Sequence, residues 1–191
     1  MLYGLIAEDG AIEKSIPVLL SRLVDLEGEP VECRRLNGKP DFIANFWKHV
    51  KEFQFRYPGI HKVLAVCDAD GDSATTLTAE LNAKVAARLG HLPFPLFFHV
   101  ITRQLETWWV AESAAISTVT GVAIPSPRGN AEENLEDPRR YIIQRVAAAK
   151  KVYTPTDAEA TARIVQLPTL RGRCPGFVEF EQKTQNGHDN P

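Results

Sequence analysis

Apolar residues along the chain follow two rhythms. The short run over 63–67, bounded by turn residues, reads as a strand buried on both faces of a parallel sheet; 2–7 reads as a first strand, 31–36 fits a short second one, and 94–101 is aromatic and β-branched enough for a fourth. Between them the apolar positions recur every three or four residues. Ile12, Ile16, Leu19, Leu20, Leu23 and Val24 predict an amphipathic helix over 11–27 that stops near Gly28. Pro40-Asp41 opens a second, with Phe42, Ile43, Phe46, Trp47, Val50 and Phe53 on one face and Tyr57-Pro58-Gly59 as its stop. Leu77, Leu81, Val85 and Leu89 mark a third over 73–89, ended by Gly90. Strand and helix alternate through residue 101. That order predicts an α/β fold, a mostly parallel four-stranded sheet covered on both faces and joined by right-handed crossovers.

The last third changes character. Residues 105–112 look helical, 120–128 are rich in Pro and Gly and read as a loop, and Asp137-Pro138 is an N-cap and first-turn pair opening a helix to about 151. Thr156 and Asp157 can cap another helix through Ile164, and Cys174-Pro175 begins a short one reaching Glu181. The expected organisation is an α/β core over 1–115, a mainly helical extension packed on it over 116–183, and a disordered polar tail over 184–191.

Composition narrows the chemistry. A net charge of −2 excludes a binder whose affinity for nucleic acid rests on overall charge, while permitting a local basic patch. Cys33, Cys67 and Cys174 are odd in number, widely spaced and without a CxxC pair, so they suggest neither a disulfide framework nor a zinc site. No apolar run approaches a membrane span and the amino terminus lacks a signal peptide's basic flank, which points to the cytoplasm.

The third strand ends in Asp68, Asp70 and Asp72, and the first ends at Glu8. Acids at the carboxyl ends of parallel strands stand where open α/β sheets bind ligands. Three chemistries could use them. A calcium loop needs Gly at position six and Glu at position twelve, whereas counting from Asp68 gives Ser73 and Ala79, with a strand in front. An aspartyl-phosphate enzyme needs a nucleophilic Asp and a downstream Lys, and nothing marks Thr118 or Lys150 for supporting roles. The third option converges Glu8, Asp68 and Asp70 on Mg²⁺.

A lone Glu after the first strand and DxDxD after a later one resemble the Toprim domain shared by topoisomerases, primases and the overcoming-lysogenization-defect (OLD) nucleases. More narrowly, the chain resembles the stand-alone Toprim-like family called domain of unknown function 4276. That likeness lies in Tyr3-Gly4-Leu5-Ile6-Ala7-Glu8, Cys67-Asp68-Ala69-Asp70-Gly71-Asp72 and Arg103-Gln104-Leu105-Glu106-Thr107-Trp108-Trp109-Val110-Ala111-Glu112. It extends through Asp137-Pro138-Arg139-Arg140-Tyr141 and Lys151-Val152-Tyr153 to Arg173-Cys174-Pro175-Gly176-Phe177. The resemblance implies a Toprim or Rossmann-like core and a metal-dependent phosphoryl-transfer site. In it Glu8 is general base or metal ligand, Asp68 and Asp70 are ligands to Mg²⁺ or Mn²⁺, and Asp72 holds an outer or alternative position. It also implies a nuclease acting on DNA or RNA, in a phage-defence or toxin-like setting. The alternative is a regulatory subunit that binds a partner ATPase, for which an Arg or Lys tying up Asp68 or Asp70 would be a sign.

The chain departs from the family pattern. Asp9 follows Glu8 where Gly is usual, Ile12 holds the place of a further acid, with Glu13 aimed elsewhere, and Gln104 and Glu112 replace Glu and Asp. Near the fourth strand, Arg103 is a candidate phosphate contact. Glu106 is either a group orienting Arg103 or a bound water, or a surface charge. Trp108 and Trp109 read as core rather than as a stacking platform. His61, His91 and His99 lack metal-ligand spacing. The basic clusters Cys33-Arg34-Arg35, Arg139-Arg140 and Arg171-Gly172-Arg173 could line a path for nucleic acid, but each by itself reads as a solvated face.

Overall fold

The computed structural model describes residues 1–185. The four apolar runs become β1 (Tyr3–Ala7), β2 (Val31–Arg35), β3 (Lys62–Asp68) and β4 (Leu96–Ile101), paired in parallel throughout in the order β2-β1-β3-β4. The chain steps outward from β1 to β2, then crosses back over β1 to β3. Strand order therefore reverses between β1 and β3, and the crevice beyond their carboxyl ends is the ligand position of open sheets. Glu8 and Asp68 leave from those two strands.

Residues on alternate sides of the sheet feed two cores. Leu5, Leu64 and Val66 face α1 (Gly10–Leu23) and its Ile12, Ile16, Leu19 and Leu20. Ile6, Val63, Ala65 and Cys67 face α2 (Lys39–Arg56) and α3 (Ala74–Arg88) through Phe42, Phe46, Phe53, Leu77 and Leu81. The later helices are α4 (Glu106–Ala111), α5 (Ser113–Thr120), α6 (Ala131–Asn134), α7 (Pro138–Ala148), α8 (Pro155–Ile164), α9 (Leu167–Arg173) and α10 (Pro175–Gln185). They bury Trp108, Trp109, Phe177 and Phe180 in the same apolar cluster as α1.

Several boundaries differ from expectation for local reasons. The first helix ends at Leu23, not 27, because Val24 leaves helical backbone at φ −135°, ψ 150°, and Glu27 and Gly28, at φ of 53° and 80°, then close a turn. β4 starts at Leu96, since Pro95 has no N–H for the ladder. The single helix expected over 105–112 is followed directly by α5: Glu112 at φ −111°, ψ 68° ends α4, and its carboxylate caps α5 by accepting from Ala115 N–H. The cap of α8 is Thr154, with Asp157 as its reciprocal capping-box partner, rather than Thr156 and Asp157. α7 stops at Ala148, where Lys150 soon turns to φ 59°. The sequence pattern predicts neither α6 nor α9. α10 carries the chain in helical form to Gln185 with Thr184 buried, so these two residues do not belong to a tail, and 186–191 lie outside the described residues. Among the described residues no helix is long and apolar enough to cross a membrane.

Candidate functional site

Glu8 and Asp68 meet at the β1/β3 crevice. Glu8 is 6% exposed and its Oε2 accepts the backbone N–H of Asp68 at 2.8 Å. Asp68, the last residue of β3, is 1% exposed, and its Oδ1 accepts the N–H of Leu105 at 2.9 Å. Burial dominates their titration, since a charge removed from water favours its neutral form. It raises the Glu8 carboxyl to about 6, with Asp70 and Asp9 pushing the same way against the Asp68 N–H and Lys39. Burial lifts Asp68 as well, and neighbouring Glu106 adds to it while Arg139 opposes it.

Beyond β3 the chain turns sharply. Asp70 sits at φ 49° and Gly71 at φ 95°, and the Asp70 N–H donates to the carbonyl of Arg103, itself at φ 66°. Left-handed backbone is ordinary for Asp and Gly but costly for Arg, and such strain gathers at functional edges. The side chains of Asp70 and Asp72 are 39% and 68% exposed, and Lys39 Nζ, at the head of α2, stands 3.5 Å and 3.1 Å from them. Asp72 is thus the outermost acid, as expected from its position. Gln104 bridges Asp70 Oδ1 (2.9 Å) to the backbone N–H of Arg139 (3.0 Å).

Arg139 is the residue that sequence reading missed. Its Nη2 lies 3.1 Å from both Asp68 Oδ2 and Asp9 Oδ2, and its Nε 3.0 Å from Glu106 Oε1. Asp9 meanwhile caps α1 through Oδ1, accepting from Ala11 and Ile12 N–H. Glu106 is neither a surface charge nor the orienter of Arg103: it is 1% exposed and holds Arg139, and burial raises its pKa. The buried Tyr153 hydroxyl lies within reach of the same carboxylate, and burial followed by that carboxylate's charge raises the Tyr153 pKa. For Arg139, the solvated-face reading fails because the fold brings α7 over the crevice. Arg103 makes no ion pair or side-chain hydrogen bond among the described residues, and lines a cavity of about 430 Å³ with Gly71, Asp72, Thr102, Glu132 and Glu133. Its guanidinium remains available to an anion.

Trp108 and Trp109 are fully buried, with Trp108 packed edge-on to Phe177 and tilted against His99 and Phe180, so both belong to the core. His99 is equally buried, and its pKa falls to about 3 because burial penalises the imidazolium.

The donor set suits a hard divalent ion in type: carboxylate oxygens and an excess of negative charge. The arrangement is another matter. Among the described residues no three His, Cys, Asp or Glu side chains stand as a group able to hold an ion; Arg139 stands against Asp68 Oδ2 and Lys39 against Asp70 and Asp72.

Fold and crevice together define a four-stranded parallel α/β protein with an acidic carboxyl edge. No family model matches the chain, and no curated protein matches it either. Among solved structures it is similar to the C-terminal region of the Burkholderia pseudomallei OLD protein, at 16% identity and a TM-score of 0.51, over 95% of this chain and 96% of that one. The α/β fold expected from the motifs is therefore observed, and it is similar to the fold of that region.

Proposed function

We propose that the chain is a divalent-metal-dependent phosphoryl-transfer enzyme of nuclease type, related to stand-alone Toprim proteins of the domain of unknown function 4276. In this reading Glu8, Asp68 and Asp70 hold Mg²⁺ or Mn²⁺, Asp72 lies outside them, and Arg103 meets a phosphate of DNA or RNA. The supporting observation is a charge imbalance at the β1/β3 switch point. Glu8, Asp9, Asp68, Asp70, Asp72 and Glu106 gather there, and the cations that reach them are Arg139 and Lys39. A bound ion would supply charge neutralisation at the attacking and leaving oxygens of a phosphodiester.

The protein's own groups would do the rest. Glu8, whose burial raises its carboxyl to about 6 without an ion, would serve either as a ligand or as the base that takes a proton from an attacking water. Asp68 N–H and Leu105 N–H fix the two carboxylates in place. For Asp68 Oδ2 to hold an ion Arg139 would have to release it, and its planar fork suits phosphate oxygens. Mn²⁺ titration followed by cleavage of single- and double-stranded DNA and RNA, with Glu8→Gln and Asp68→Asn beside the natural chain, tests the reading. Metal-dependent cutting lost in both variants supports it.

One observation favours a second reading. Arg139 and Lys39 already stand as counter-charges to Asp68 and Asp70, as they would in a subunit whose edge is built for binding a partner ATPase rather than for catalysis. Folded variants, no Mn²⁺ binding, no cutting and a co-purifying ATPase would make that reading the better one.

A further inference from the structure

The α2–α3 surface carries a basic cluster that the acidic crevice does not use. Trp47 lies half-buried on α2, and its ring is approached by Arg88 Cζ at 4.9 Å, Lys51 Nζ at 5.2 Å and Lys48 Nζ at 5.8 Å. The indole is held by its Nε1–H donating to Ala44 O at 2.9 Å. Each cation gains from the ring. Together they repel, because Lys48 and Lys51 share one helix face and Arg88 meets them from α3.

No carboxylate among the described residues relieves that repulsion. Lys48, Lys51 and Arg88 are exposed and form no ion pair there. The nearby acid on α3, Glu80, is committed to Lys84 at 2.8 Å, and Lys84 Nζ also donates to Ile43 O across the helices. On a chain of net charge −2 this is a local positive field. Three cations fixed on one rigid ring present their charge outward with less rotamer freedom to lose than free lysines have.

We propose that Trp47, Lys48, Lys51 and Arg88 form a docking patch for the phosphate backbone of a nucleic acid. The charge is complementary to a polyanion and the patch has no groove that reads bases, so binding is backbone-directed and insensitive to sequence. Geometry links the patch to the crevice: α2 begins with Lys39 beside Asp70 and Asp72, and Trp47 lies eight residues further, about 12 Å along the helix. The patch rests on the phosphodiester reading only for cleavage of the docked strand, since docking itself needs no metal.

The test is fluorescence anisotropy of a labelled single-stranded oligonucleotide in EDTA, over a range of salt. Three phosphate contacts predict a log–log salt slope near ~2 in magnitude, and Lys48→Glu/Lys51→Glu should weaken binding about tenfold or more and flatten the slope. Trp108 and Trp109 are fully buried, so a change in tryptophan emission on binding reports Trp47 and should vanish in Trp47→Phe. Far-UV circular dichroism of each variant confirms the fold. Binding of the natural chain that the double variant leaves unchanged overturns the proposal. So does poly-glutamate binding as tightly as the oligonucleotide, which would assign the patch to an acidic protein. Docking in EDTA without cleavage in Mn²⁺ would leave the patch standing and remove the nuclease reading; cleavage with an unaffected double variant would do the reverse.

Discussion

Glu8→Gln should make the protein more stable at neutral pH while removing the activity proposed for the crevice. The Glu8 carboxyl titrates at about 6 in the folded protein against an ordinary 4.5, chiefly because it is buried. The folded state therefore holds that proton more tightly than the unfolded chain. Its contribution to stability is fully present below about pH 4.5 and is lost as pH rises through about 6. A difference of about 1.5 pH units at ~1.36 kcal/mol each leaves the ionised wild type about 2 kcal/mol worse off at pH 7 than a protein with a neutral side chain there. Gln keeps an acceptor oxygen for the Asp68 N–H, so the substitution removes the charge and retains the hydrogen bond at 2.8 Å. The expected gain is about 2 kcal/mol at pH 7, or about 4–8 °C in Tm for a domain of this size, shrinking to nothing near pH 4. Urea unfolding of both proteins in EDTA between about pH 4 and pH 8 measures it. A variant less stable than wild type at pH 7, or a gap that does not change with pH, refutes the account of Glu8 as a destabilised buried carboxylate.

Arg139→Ala leaves Asp68 and Glu106 buried without their cation and should cost about 3–5 kcal/mol in urea unfolding; a cost below about 1 kcal/mol would show that the crevice acids do not depend on it. His99 runs opposite to Glu8 in pH. Its folded pKa of about 3 lies below the unfolded 6.5, so stability present above about pH 6.5 is lost as pH falls, by about 2 kcal/mol at pH 5. His99→Leu should flatten that acid limb, and an unchanged slope between about pH 7 and pH 5 would contradict it. Trp108→Ala removes a fully buried ring from between His99, Phe177 and Phe180 and should cost about 3–5 kcal/mol by thermal or chemical unfolding; a mild effect would mean the helical extension is not anchored through this residue.

The centre of the sheet was legible because β1 and β3 are buried on both faces. β3 reads as an unbroken apolar run from Val63 to Cys67, and every residue of it is buried. α2 and α3 were legible because 15 to 18 residues give the helical period room to repeat. The four residues of α6 and seven of α9 offer no such window. In the crevice, Glu8 and Asp68 could be placed together because both sit at strand ends, and the switch between β1 and β3 makes those ends neighbours. Arg139 could not. It stands 71 positions from Asp68, beside Arg140 in a run that looks solvated, and reaches the acids only because α7 folds over them. A cation at the head of a helix begun by Asp-Pro was the available signal, and Lys39 before Pro40 offered a similar one.

The energetics of the crevice argue that it is kept for use. Burying Asp68 and Glu106 against one guanidinium is expensive, and apolar residues of similar volume commonly do as well or better for stability. Glu8, Asp68 and Glu106 all have raised pKa values even with Arg139 and Lys39 in place, so the local charge is under-compensated in the folded protein. Ionisable groups pushed from their ordinary values in a crevice at a sheet's switch point mark functional sites more often than structural ones. The two cations also come from the heads of α2 and α7, outside the sheet that carries Glu8 and Asp68. Movement of either helix head would uncover carboxylate without disturbing the strands. Under that geometry the rigid element holds the acids and the peripheral elements hold their neutralisers, so in the reading proposed above an added cation would have to displace the second set from the first.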